Sequence, residues 1–155
     1  MLFLLFQVGK ERYAIEAGGV VEVAPLLPMK RLPKAPKGVA GVFNYRGRPV
    51  PAVDLSELTQ GRPAEVRLST RIIIVNYPHG HGGNRLLGLV AEHATEMLRA
   101  SRRDFIDPGV RIGDAPYLGP VLMDARGSIQ LLIERNLLAQ PVQDLLFSEA
   151  AVPCV

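Results

Sequence analysis

The chain has 155 residues, 48% of them apolar and 21% charged, with a formal net charge of +3. These proportions belong to a globular domain and exclude a disordered chain, and no apolar run approaches the ~18 residues of a membrane span. The only cysteine is Cys154, which excludes a disulfide framework and a Cys-based zinc site.

Residues 1–6 are apolar but lack the basic start of a secretion signal, so the expectation is a soluble cytoplasmic domain. Strand-like segments at 2–8 and 13–15 flank Gly9-Lys10-Glu11-Arg12, which suits a hairpin. Residues 20–23 are β-branched and short. Residues 24–36 carry four prolines, each removing a backbone donor, and read as an irregular connection. A second hairpin follows, residues 39–45 and 49–53 around Arg46-Gly47-Arg48. Residues 54–67 are polar and mixed, long enough for one helical turn.

Residues 72–75, Ile-Ile-Ile-Val, form an unbroken apolar run typical of a strand buried on both faces. They are expected to fill the second of two barrels on one side and to meet the seam between barrels on the other. A Gly-rich turn at 77–84 leads to residues 86–90, which pair back onto the run. Local propensity makes 92–105 a helix, because Ala94, Met97, Leu98, Ser101 and Phe105 lie on one stripe. Residues 121–123 and 129–133 form a last hairpin. The chain then looks helical through Leu138, with Pro141 ending the helix, and 143–151 suit a short terminal helix. The tail from 143 to 155 is expected to be dispensable for folding.

Catalytic signals are poor. His79 and His81 sit two apart in a Gly-rich turn without further ligands at metal-site spacing, and His93 stands alone. Gly127-Ser128 lacks the following glycine of a nucleophile elbow. No catalytic residue, metal or cofactor is expected, and no small-molecule substrate. The basic segment from Lys30 to Arg48 (Lys30, Arg31, Lys34, Lys37, Arg46, Arg48) contains no acid. That is the basis of the alternative, an SH3-like barrel protein binding nucleic acid through residues 30–48. Scarce aromatics, with no tryptophan, weigh against it.

The segment from Phe3 to Ile15, then Val20-Val21-Glu22-Val23, then residues 36–55 with Gly41, Asn44-Tyr45-Arg46-Gly47 and Pro51-Ala52-Val53-Asp54-Leu55, together resemble the CheW-like family. These are adaptor modules coupling chemoreceptors to a histidine kinase. The resemblance runs from about residue 2 to 138. It implies an all-β fold: two small five-stranded SH3-like β-barrels packed side by side, with a short C-terminal helix. The CheW-like domain would occupy 1–140, with approximate halves 1–66 and 67–140 and strand exchange allowed, followed by a tail at 141–155. It also implies that 92–98 continue as a strand, against local propensity, with Phe105 in a short turn or 3₁₀ segment.

The resemblance further implies a scaffold, without catalysis, in a bacterial chemosensory pathway, recruited from the cytoplasm to membrane-bound receptor arrays without inserting in the membrane. Its partners would be the regulatory domain of a CheA-type histidine kinase and the tip of a methyl-accepting chemoreceptor. Gly47 and Asn44 read as turn-makers, with Gly41, Pro51 and Asp54 as structural motif positions. Arg46 is different, because a turn does not need a guanidinium; it is expected to reach a partner, steadied by Glu22. Val20 and Ile72 match apolar places that face the receptor tip. Tyr45 stands where the family more often has leucine, which would alter how the partner surface presents itself.

Overall fold

The computed structural model describes residues 1–79 and 83–147; the expectations for His81, Cys154 and residues 148–155 lie outside them. Nine strands are present among the described residues: β1 (Leu2–Val8), β2 (Glu11–Glu16), β3 (Val20–Pro25), β4 (Val39–Tyr45), β5 (Arg48–Asp54), β6 (Arg71–His79), β7 (Gly83–Arg99), β8 (Leu118–Asp124) and β9 (Gly127–Leu132). Two short helices join them, α1 (Leu55–Gln60) and α2 (Gln140–Leu146).

The strands build two five-stranded units because β7 serves both. Its first part, Gly83 to Ala91, pairs with β6, while Gly88 to Val90 also pair parallel with β5. Its second part, Glu92 to Arg99, pairs antiparallel with β1. One unit therefore contains β3, β4, β5, β6 and the start of β7. The other contains β1, β2, β8, β9 and the end of β7. The expected mostly-β architecture with a short C-terminal helix is present. A division at residues 66/67 does not follow the units, however, because β5 and β6 lie in the same one and β1 and β2 in the other.

Side-chain alternation sorts the core into three. Phe3 and Leu5 enter the core of the β1 unit, while Leu4, Phe6 and Val8 face the seam between units. On β6, Ile72 and Ile74 fill the interior with Phe43 and Val50, whereas Ile73, Val75 and Tyr77 face the seam. The isoleucine run is thus buried on both sides, as expected, but the barrel it fills is that of β3 to β5.

The strand that the resemblance implies for 92–98 is present, and the helix that local propensity alone suggests is not. Met97 and Leu98 pair with Leu4 and Phe3, and this tertiary pairing outweighs a weak helical preference. Phe105 follows a 3₁₀ turn at Arg102–Asp104, as the resemblance implies. Pro141 opens α2 instead of ending a helix, since a first-turn residue has no intrahelical acceptor to lose.

The tail, expected to be dispensable for folding, contributes to the core as far as Phe147. That ring is 5% exposed, lies 5.6 Å from Tyr77 and 5.2 Å from His79, and belongs to the seam core. Tyr77 Oη donates to the Arg135 carbonyl at 2.9 Å and accepts from the Leu138 amide at 3.2 Å, which pins the approach to α2.

Candidate functional site

The β4–β5 hairpin turns on two residues, since Tyr45 pairs with Arg48. Both turn residues have positive φ, 51° at Arg46 and 83° at Gly47, the sign pattern of the tight turn that suits strand twist. Gly47 adopts it freely, and Asn44 Oδ1 accepts the Gly47 amide at 2.7 Å. Arg46 is held left-handed against its preference, which fixes where its side chain leaves the backbone.

The unit curls so that β3, bulged between Val20 and Glu22, comes back to this turn. Arg46 Nη2 donates to Glu22 Oε1 at 2.8 Å, and Tyr45 Oη donates to the same oxygen at 3.1 Å. The Arg46 guanidinium stands 5.2 Å from the centre of the Tyr45 ring. The arginine side chain remains 75% exposed. Burial first, and the Glu22 hydrogen bond second, push the Tyr45 phenol above its ordinary pKa.

The expected Arg46–Glu22 pair is therefore formed. Tyr45 lies beneath it with 9% of its surface exposed, supporting the pair more than presenting a face of its own. Val20 is half-buried at the seam, with Val21 exposed beside it. Ile72 does not join this surface. It is fully buried among Phe43, Val50 and Ile74, because its position on β6 faces the barrel interior, so its expected partner contact is corrected to a core role.

The remaining motif residues build the frame. Gly41 lies where a Cβ would come within 2.3 Å of the Lys30 carbonyl oxygen, so the irregular proline segment crosses β4 only over a glycine. Pro51 pairs with Val42. Asp54 is buried and caps α1: Oδ1 accepts the Ser56 and Glu57 amides at 3.0 and 3.2 Å, and Oδ2 accepts Ala64 at 2.9 Å. The six basic residues of the 30–48 segment are all exposed, and Arg46 is engaged with an acid.

Sequence reasoning missed Glu92. It is buried where β7 passes between units, and it accepts the Gly9 amide at 3.1 Å and the Glu65 amide at 3.4 Å. The adjoining His93 has φ 49°, and β7 is irregular against β1 there. An acid at the edge of an apolar run was the one available signal. Among the described residues no group of three or more His, Cys, Asp or Glu side chains could hold a metal ion, and no helix is long and apolar enough to cross a membrane.

The chemotaxis protein CheW of Helicobacter pylori is 33% identical over 107 residues, 68% of this chain and 61% of that protein. The match thus spans under two thirds of that relative's length. The Klebsiella aerogenes CheW is 27% identical over 148 residues, 95% of this chain and 82% of that one. The Myxococcus xanthus protein FrzA is 28% identical over 113 residues, 73% and 67% of the two chains. The fold matches the crystal structure of the scaffolding protein TtCheW from Thermoanaerobacter tengcongensis with a TM-score of 0.77 at 21% identity, covering 91% of this chain and 89% of that one. Residues 2–141 match the family model described as a CheW-like domain, and the chain belongs to that family.

Proposed function

We propose that this chain is a non-catalytic scaffold of a bacterial chemosensory pathway, holding the regulatory domain of a CheA-type histidine kinase and the cytoplasmic tip of a methyl-accepting chemoreceptor together. The mechanism is geometric: a kinase held at a fixed place beside a receptor has its activity biased by the receptor's state. Family membership and relatives named as chemotaxis proteins support the pathway. The observation that carries the docking surface is Arg46. Its guanidinium serves no core contact, stands on a rigid turn, and is three-quarters exposed while oriented by Glu22.

An exposed ion pair of this kind contributes only about 0–1 kcal/mol to folding, whereas interface arginines often cost about 2 kcal/mol or more of binding when truncated. Arg46→Ala is expected to keep Tm within a few degrees and to weaken binding to the kinase domain or the receptor tip by about tenfold or more. Arg46→Lys restores only part, lacking the planar fork. A pulldown that recovers neither a receptor nor a histidine kinase refutes the scaffold role, and unchanged binding by Arg46→Ala refutes this surface.

A further inference from the structure

Two donors converge on one oxygen at the Arg46 turn. Glu22 Oε1 takes both the Tyr45 hydroxyl and Arg46 Nη2, while among the described residues Glu22 Oε2 and the Nε and Nη1 atoms of Arg46 have no hydrogen-bond partner. The free acceptor and the free donors therefore stand side by side at the surface. Neither side chain alone is rigid: arginine has several rotatable bonds, and Glu22 projects from an edge strand. What is rigid is the tyrosine ring, packed with Phe43, Val50 and Ile74 in the barrel interior.

We infer that Tyr45 is a positioning residue that holds Glu22 and Arg46 as a preformed acceptor–donor pair, offered to a protein partner carrying a carboxylate or carbonyl beside an N–H or O–H donor. The inference rests on the reading of this turn as a docking surface. A phenylalanine would fill the barrel here equally well, so packing does not call for the hydroxyl. The hydroxyl fixes the carboxylate from below, the ring lies under the guanidinium, and the left-handed backbone at Arg46 fixes the root of the side chain. Ordering before contact reduces the rotamer entropy lost on binding. The partner chemistry follows from charge. The paired acid and guanidinium are neutral together, so a phosphate backbone gains little from them. A polar protein edge with one acceptor and one donor satisfies both.

The test compares Tyr45→Phe, Tyr45→Leu, Arg46→Ala and Glu22→Ala in the full chain. The readouts are Arg46 Nε–H mobility by nitrogen-15 relaxation in the free protein and affinity for the kinase regulatory domain by calorimetry. Tyr45→Phe, which keeps the ring, is expected to leave Tm unchanged, to raise Arg46 mobility and to weaken binding about three- to tenfold. Tyr45→Leu is expected to weaken it further. In a Glu22→Ala background Tyr45→Phe should have no additional effect, because it acts through that carboxylate. Unchanged Arg46 mobility in Tyr45→Phe overturns the inference, as does full additivity with Glu22→Ala. If Arg46→Ala weakens binding and Tyr45→Phe does not, the inference fails while the docking surface stands. If Arg46→Ala also binds normally, the docking surface falls, and the affinity part of the inference falls with it.

Discussion

Phe147 tests how the seam between the two units is closed. Its ring is 5% exposed and stacks 5.6 Å from Tyr77, whose own ring is fully buried. Truncation to alanine removes a buried aromatic from a core shared by both units, where relaxation is restricted on every side. Changes of this type cost about 3–5 kcal/mol. A domain of this size has a total stability of about 5–15 kcal/mol, and each kcal/mol moves Tm by about 2–4 °C. Phe147→Ala in the full chain should therefore melt roughly 6–20 °C below the parent by circular dichroism. Leu145, 59% exposed on the same helix, provides the control, and Leu145→Ala should move Tm by no more than a degree or two. A chain ending at Val142 should lose at least as much as Phe147→Ala. It forfeits the ring and also the bond from Gln143 Nε2 to the Leu138 carbonyl, 2.9 Å long. If Phe147→Ala and Leu145→Ala melt together at the parental temperature, α2 does not close the seam.

Ile73→Asp should abolish cooperative unfolding, because the carboxylate would enter the seam core with no basic partner; a native melting curve would refute the register of β6. Asp54→Ala strips the acceptor from three backbone amides and should cost about 2–4 kcal/mol in urea titration, with a loss below 1 kcal/mol arguing against the cap. Asp124 forms a two-pronged pair with Arg12 at 2.8 and 2.7 Å, and this pair first, with the Arg126 amide in support, holds its carboxyl well below the ordinary range. A lowered folded pKa means the stabilisation is complete above the unfolded value of ~3.9 and drains away as pH falls below it. Asp124→Asn should accordingly flatten the acid limb of stability between roughly pH 5 and 2, and an unchanged slope would assign that limb to other carboxylates.

The hairpins were legible because apolar runs flank connections that contain glycine. The Asn44–Arg48 motif was legible as a turn for the same reason. Which side of a strand faces the barrel interior and which the seam was not. Four apolar residues at 72–75 give no alternation, so Ile72 and Ile73 are indistinguishable until neighbouring strands are placed. The Tyr45–Glu22 contact spans 23 residues and depends on the curl of the sheet, which no local pattern encodes. The 92–99 segment looked helical because Ala94, Met97, Leu98, Ser101 and Phe105 recur at helical spacing, and only the pairing with β1 outweighs that stripe. Pro141 was read as a stop because proline ends and begins helices alike, and only the direction of the following chain decides. Leu145-Leu146-Phe147 was visibly apolar, but the aromatic receptacle made by Tyr77 and His79 lies far back in sequence.

The 17 residues of β7 give this protein a single mechanical axis. Each barrel owns one half of the strand, so neither can be excised, exchanged or melted without tearing a backbone ladder of the other. Hydrogen exchange should register this as one global opening. The β7 amides that ladder with β6 between Gly83 and Ala91 and those that ladder with β1 between Glu96 and Arg99 should slow to a common rate, even though they belong to different sheets. A push on one barrel by a bound protein then travels along covalent chain to the other, through the irregular step of β7 at Glu92 and His93.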